Sequence, residues 1–424
     1  MDHVVDLKMT EFQVKDIRLS TQGVQSISLA ESRMPALLRI RDRFEREQPL
    51  QGITIGACLH VTRETAVLAR TLKAGGASVA LCGSNPLSTQ DDVAAALAKE
   101  GFYVYAWRGN DSKYYECIKA VLDRSPNILI DDGADLIILT HRERIDLLPT
   151  IMGAQEETTT GVNRLRAMQR QRALRIPVIA VNNAKVKTMF DNVYGTGQGV
   201  VAAIAALNIL FSGKTVVIAG YGYCSRGMAA RSRGLGANVI VTEIDPVRAL
   251  EAIMDGYRVL PMDKAVAEAD MVFTSTGCKD VVSKRHFESM RDGVILANFG
   301  HFNVEISVKD LEELAVEKKR VRDYVDEYRL ANGKRAYLIG EGRLANLVVL
   351  GGHPSEIMDL SFCVQSLTSE YLVKNHQTLK SEVYEIFEEI DEAVARAKLD
   401  TMDVRIDSLS EEQRCYTEDY ELGT

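Results

Sequence analysis

Side chains suited to proton transfer punctuate this chain in short clusters: His60-Val61-Thr62-Arg63-Glu64, Asp131-Asp132-Gly133, Glu156-Glu157-Thr158-Thr159-Thr160, Lys187, Asp191-Asn192, His301, Asn346 and His353. An imidazole titrates near neutral pH, and a carboxylate beside it can orient it for acid–base work on a small organic substrate. Lys187 and Asp191 stand one helical turn apart. Taken singly, each cluster also has a structural account. A histidine after a strand is often a satisfied polar residue, Asp-Asp-Gly reads as a turn, and Glu-Glu-Thr-Thr-Thr can open a helix.

A second constellation points to a nucleotide cofactor. The run GKTVVIAGYGYCSRG puts Gly220, Gly222 and Gly227 at the end of an apolar strand where a helix would begin, and Glu243 closes the next strand. Glycines let backbone N–H groups approach a pyrophosphate at a helix N-terminus, and a carboxylate about 20 residues on binds the ribose diol. Glu243 predicts NAD rather than NADP. Ser225 occupies the third glycine position of the usual fingerprint, where only a small side chain lets helix and strand pack closely.

The elements that must carry these residues follow a βα rhythm. From about Ile53, apolar runs such as ITIGACLH, ASVALCG and NILIDDGADL alternate with amphipathic stretches, which predicts a parallel sheet. A second series follows the Gly-rich segment 194–199: helix VVAAIAALNILF, strand TVVIAGYG, a helix from about Arg226, strand NVIVTEID, and strands near MVFTST and GVILANF. The fold expected is α/β: two tandem parallel-sheet α/β domains, the second Rossmann-type, plus a small C-terminal helical segment. NLVVL reads as a strand followed by a Gly351-Gly352 turn, and LSFCVQSLTSEYLVKN and EVYEIFEEIDEAVARAKL read as helices.

Composition narrows the function classes. With 424 residues, 46% of them hydrophobic, the chain can bury more than one core. The net charge of −8 is dispersed, leaving no basic footprint for nucleic acid. Seven scattered cysteines lack paired metal-ligand spacing, so free thiols and no metal site are expected. No apolar stretch approaches the roughly 20 residues of a membrane span, and MDHVVDLKMTEF lacks a signal pattern, so a cytoplasmic location is expected.

Taken together and in order, CLHVTRETAVLARTL, STQDD, VYAWRGN, ILIDDGADL, EETTTGV, KTMFDNVYGTGQ, AGYGYCSRG, TEIDP, TSTGC, NFGHFNVEI, EGRLANL and GGHPSEIM resemble the S-adenosylhomocysteine hydrolase family from about Ile53 to Leu399. The resemblance is to its shorter prokaryotic type, since the chain ends at DYELGT. It implies reversible hydrolysis of S-adenosyl-L-homocysteine to adenosine and L-homocysteine, through NAD-dependent 3′-oxidation, elimination, water addition and re-reduction. It further implies that Lys187 and Asp191 assist at the 3′-hydroxyl, and that His60 with Asp132 serves the leaving thiol and attacking water.

By the same resemblance, Glu157 and Thr158 hold the ribose, Asn182 and Asn192 position Lys187, Thr62 and Glu64 recognise the base, and His301 and His353 are the homocysteine-end and closing-loop histidines. Thr158, Thr159, Thr160, Asn192, Gly220, Gly222, Tyr223, Cys224, Glu243, Thr274, Ser275, Thr276, Asn298, Gly300, His301 and Asn346 are expected around NAD. The implied organisation is a substrate domain (1–190 with 353–395), an NAD domain (191–352) hinged near Gly351-Gly352, and an oligomerisation segment (396–424) in a homotetramer. Thr196, Asn183-Ala184 and Ser225 depart from the family pattern without removing an acid or base. The preferred purine stays open. A net hydroxy-acid dehydrogenase would share two such domains, but its Arg/Glu/His pattern is not evident. A non-catalytic relative is opposed by the intact acids and bases.

Overall fold

The computed structural model describes residues 11–420. Residues 1–10 and 421–424, into which the expected domain and signal boundaries extend, lie outside the described residues. The first series of apolar runs forms β1 (Thr54–Leu59), β2 (Ser78–Gly83), β3 (Tyr103–Tyr105), β4 (Ile128–Asp131), β5 (Gly153–Glu156) and β6 (Val178–Ala180). They lie parallel in the order β6-β5-β4-β1-β2-β3. Successive side chains of β1 point to opposite faces: Ile55, Ala57 and Leu59 enter one core, and Cys58 enters the other with Ala80 and Cys82. Helices cover both faces, which is why these strands are apolar throughout rather than alternating.

The second series forms β7 (Thr215–Ala219), β8 (Asn238–Thr242), β9 (Arg258–Val259), β10 (Met271–Thr274) and β11 (Val294–Asn298), extended by β12 (Ala315–Arg322), β13 (Val325–Leu330) and β14 (Arg335–Leu344). The order is β12-β13-β14-β11-β10-β7-β8-β9, with β12 and β13 antiparallel at the edge. Both sheets therefore run outward in both directions from their first strand. The doubly wound order expected only of the second domain is present in the first as well. Ligands bind at the carboxyl ends of strands where such an order reverses, between β1 and β4 and between β7 and β10.

Two expected elements change type. NLVVL is not a strand but part of a helix, Ala345–Leu350, ended by Gly351 at φ 80° with its N–H on the Leu347 carbonyl. A short apolar run fits a buried strand or a buried helix equally well. The start of EVYEIFEEIDEAVARAKL is likewise a strand, β15 (Val383–Glu385), which pairs with β6 of the first sheet, and the helix begins only at Glu388. The helix after Gly199 stops at Leu207, because Asn208 turns left-handed at φ 53°. Two helices before the first sheet, Ser20–Glu31 and Pro35–Glu47, and the β12–β14 extension add to what the sequence pattern foresaw. All seven cysteines are free, as expected.

Candidate active site

Three strand ends of the first sheet deliver the site. His60 follows β1, Asp132 follows β4, and Glu157 follows β5. His60 Nε2 lies 3.1 Å from Asp132 Oδ2, and its Nδ1 lies 2.8 Å from Ser88 Oγ and 3.1 Å from Ser84 Oγ. His301, from the loop after β11 in the other sheet, places Nδ1 3.4 Å from Asp132 Oδ1, so one carboxylate spans two imidazoles. Gly133 makes this approach possible, since at φ 108° its missing Cβ leaves the space the His301 ring occupies. Burial lowers the His60 pKa to about 4 despite Asp132, so the ring is neutral near pH 7 and free to accept a proton.

Lys187 stands at the centre of a second cluster. Its ammonium donates to Asn192 Oδ1 (2.7 Å) and Asn182 Oδ1 (3.3 Å), and lies 3.2 Å from Asp191 Oδ2 and 3.6 Å from Glu157 Oε1. The segment Thr188–Gly195 is a π-helix, and its widened turn turns Asp191 and Asn192 inward together. Burial would lower the Lys187 pKa, but Asp191 and then Glu157 outweigh it and hold it above the ordinary lysine range. Burial would raise Asp191, yet Lys187 and His353 keep it well below the usual carboxylate range. Glu157 goes the other way: burial raises it to about 7 against the pull of Lys187. His353 Nδ1 bonds Asp191 Oδ1, which brings the residue after Gly351-Gly352 onto the cluster.

Around these clusters lies a cavity of about 140 Å³. His60, Thr62, Glu64, Asp132, Glu157, Thr158, Lys187, Asp191, Asn192, His301, Asn346 and His353 all line it, as do Thr196 and Cys224. Thr62 caps the helix Arg63–Ala74, which fixes Glu64 in its first turn. Glu64 is buried, and its Oε1 accepts from Arg63 Nε at 2.8 Å and Ser355 Oγ at 2.7 Å.

The remaining expected residues gather at the second sheet. Gly220 (φ 89°) ends β7 and Gly222 caps the helix Tyr223–Gly234, where an added Cβ would meet only Arg248 Nη1 at 3.7 Å. Ser225 fits the third glycine position by donating to Ala219 O (3.2 Å) and Ser275 O (3.4 Å). Glu243 turns onto the loop, accepting from Tyr221 N at 2.6 Å and Ile244 N at 2.7 Å. Thr274 Oγ1 donates to Asn298 Oδ1 at 3.0 Å, and that oxygen also accepts from Gly300 N at 2.8 Å. These two side chains thus hold the loops rather than offering free groups. Thr276 and Gly277 are held by Glu305, a buried carboxylate that sequence reasoning missed. Thr159 accepts from Asn182 at 3.0 Å, and Thr160 faces Gly277 across the crevice.

Sequence reasoning also missed Ser84, Gln365 and Ser361, and it quoted Ser88 only within the STQDD run. Comparison with known proteins now decides the family. Residues 11–149 match S-adenosyl-L-homocysteine hydrolase, and residues 192–352 match that family's NAD binding domain. The S-inosyl-L-homocysteine hydrolase of Methanocaldococcus jannaschii is 54% identical over 97% of this chain and 100% of its own length. The adenosylhomocysteinase of Aquifex aeolicus is 54% identical over 98% of this chain and 100% of its own, and that of Sulfolobus acidocaldarius gives the same figures.

The chain belongs to the S-adenosyl-L-homocysteine hydrolase family.

Its cofactor is NAD, and the residues present fit that group. The hydrolase-family loop presents an open helix N-terminus at Gly222, suited to a pyrophosphate. On the cavity side, Asn346 Oδ1 is buried with no hydrogen-bond partner, an acceptor that a carboxamide N–H would satisfy. Among the described residues of this family member, no helix is long and apolar enough to cross a membrane.

Proposed function

We propose that the protein catalyses the reversible hydrolysis of S-adenosyl-L-homocysteine to adenosine and L-homocysteine, using NAD as a catalyst rather than a consumed reagent. The observation that carries this reading is the joining of two acid–base clusters, His60–Asp132–His301 and Lys187–Asp191–Glu157, in one cavity beside a dinucleotide loop. When bound, NAD would supply a hydride acceptor for the 3′ carbon. Lys187 Nζ, steered by Asn182, Asp191 and Asn192, handles the 3′-hydroxyl proton. Glu157 and Thr158 hold the ribose hydroxyls. His60, neutral and held by Asp132, moves the proton between water and the C5′ leaving sulfur, with His301 closing the homocysteine end.

Glu64 selects the purine. Two donors occupy its Oε1, which fixes the carboxylate as an acceptor with Oε2 left for the ligand. An exocyclic amine matches it, which favours adenine over hypoxanthine. Relatives of equal identity carry the adenosyl and the inosyl names, so the choice is open to direct measurement. With both thioethers offered, thiol release without net NADH is expected, faster from the adenosyl substrate. Glu64→Gln should shrink that preference at least about tenfold. Net NADH accumulation would favour a dehydrogenase, and binding without thiol release a non-catalytic relative.

The substrate domain is read as 1–190 with 353–395 and the NAD domain as 191–352, hinged at Gly351-Gly352. The segment 396–424 joins subunits of a homotetramer in the cytoplasm. Exposed Met402, Ile406, Leu409 and Tyr416 support that role for the segment.

A further inference from the structure

Of the four carboxylates that line the cavity, the helix Ser355–Asn375 reaches three with an uncharged donor. Ser355 Oγ donates to Glu64 at 2.7 Å, Ser361 Oγ to Asp191 Oδ2 at 3.3 Å, and Gln365 Nε2 to Glu157 Oε2. Residues 361 and 365 are one turn apart on one face of the helix, and both are fully buried. The Gln365 contact carries a cost that the serines do not. Its Oε1 is buried with no hydrogen-bond partner. Turning the amide over would set its oxygen against the carboxylate, so an ionised Glu157 requires the donor orientation. An orphaned buried acceptor destabilises a fold, and an apolar side chain of similar length would avoid it. What the amide provides in return is the donor to Glu157.

We propose that Gln365 is a positioning residue for the hydrolysis: its amide ties down one oxygen of Glu157 so that the other faces Lys187 and the substrate ribose as an ionised acceptor. This rests on the reading of Glu157 as the carboxylate that holds the ribose. An uncharged donor does this without competing with Lys187 for the same acid, as an arginine would. The groups facing Glu157 are Lys187, Asp191, Gln365 and Asp132. Burial and the two aspartates favour its protonated form, while Lys187 and the Gln365 hydrogen bond favour the ionised one. Removing the amide therefore raises the pH at which Glu157 ionises.

The test compares pH profiles of kcat/KM in NAD-loaded enzyme. Gln365→Met keeps length and removes the donor, and Gln365→Asn withdraws the amide by one methylene, giving a second variant should the first fold poorly. The control is Gln155→Met, which alters a neighbouring buried amide that donates to Ser369 Oγ at 2.8 Å. Both Gln365 variants should move the acid limb up by about one pH unit, a roughly fivefold loss at pH 7 that is largely regained by pH 9. Gln155→Met should keep the wild-type limb. An unmoved limb in both Gln365 variants, or an equal shift in Gln155→Met, overturns the role of Gln365. Glu157→Gln separates the two levels: impaired turnover there upholds the ribose-holding reading, and wild-type turnover removes it.

Discussion

At the scale of single residues, the site works by opposing burial with charge. His60, partly buried, and Lys187, buried, can each carry a positive charge, yet their environments drive them apart. His60 is kept neutral because its one carboxylate partner does not offset burial, whereas Lys187 stays charged beside two. Asp191 is the hub of this difference, since Lys187, His353 and Ser361 all bond it. Asp191→Asn is expected to cut kcat by about 10²-fold or more while leaving the fold intact, measured as thiol release against the circular dichroism melt. His60→Asn should cost about 10²–10⁴-fold in the steps at C5′. Because Glu157 titrates at about 7 and acts when ionised, kcat/KM should rise as pH increases through about 7. A profile flat across that range would contradict the assignment. The acids and bases were legible because they sit in distinctive runs at strand ends. Gln365 and Glu305 were not, because a polar residue in a helix or loop looks the same in sequence whether it faces solvent or a buried carboxylate.

Elements translate those residues into geometry through close packing. The helix Tyr223–Gly234 lies against the π-helical segment Thr188–Gly195, and Gly227 makes the contact possible, since a Cβ there would run into the Val193 carbonyl. Gly227→Ala should push the Asp191-Asn192 turn away from Lys187. Faster NAD loss and lower kcat are expected, read from the cofactor content of the enzyme after gel filtration; unchanged retention would count against it. Ser225→Gly, by contrast, removes two loop hydrogen bonds and should weaken NAD retention only modestly. The helix Ala345–Leu350 and the strand β15 were misassigned in sequence for a related reason. Runs of three to six apolar or mixed residues lack the length that separates helix period from strand period, and tertiary contacts decide the outcome.

In the molecule as a whole, the cavity exists only because two separate sheets meet. Arg343 bonds Asp111 at 2.8 Å and Arg108 donates to the Val348 carbonyl at 2.8 Å, tying the NAD-domain edge to the substrate domain. With the domains together, His301 reaches Asp132 and His353 reaches Asp191. Stripping NAD should abolish thiol release, and restoring one equivalent of NAD per site should return many turnovers without net NADH, which distinguishes a catalytic cofactor from a consumed one. Light scattering on the full chain should give four times the mass of one chain. Deleting 402–424 should reduce that mass, because it removes the exposed apolar side chains proposed to pack against a neighbouring subunit.

The sequence by itself determined the local and the chemical: strand periodicity, the glycine loop with its acid, and the residue types of both acid–base clusters. Those features depend on neighbours within a few positions, or on motifs whose order survives in one dimension. Only the tertiary structure decided which side chains spend their hydrogen bonds on the protein and which keep them for a ligand. Thr274 and Asn298 satisfy each other, while Asn346 is left with a free acceptor. It also decided that one distant helix holds three carboxylates of the site. Burial and hydrogen-bond partnership are set by contacts between residues hundreds of positions apart, and no local pattern encodes them.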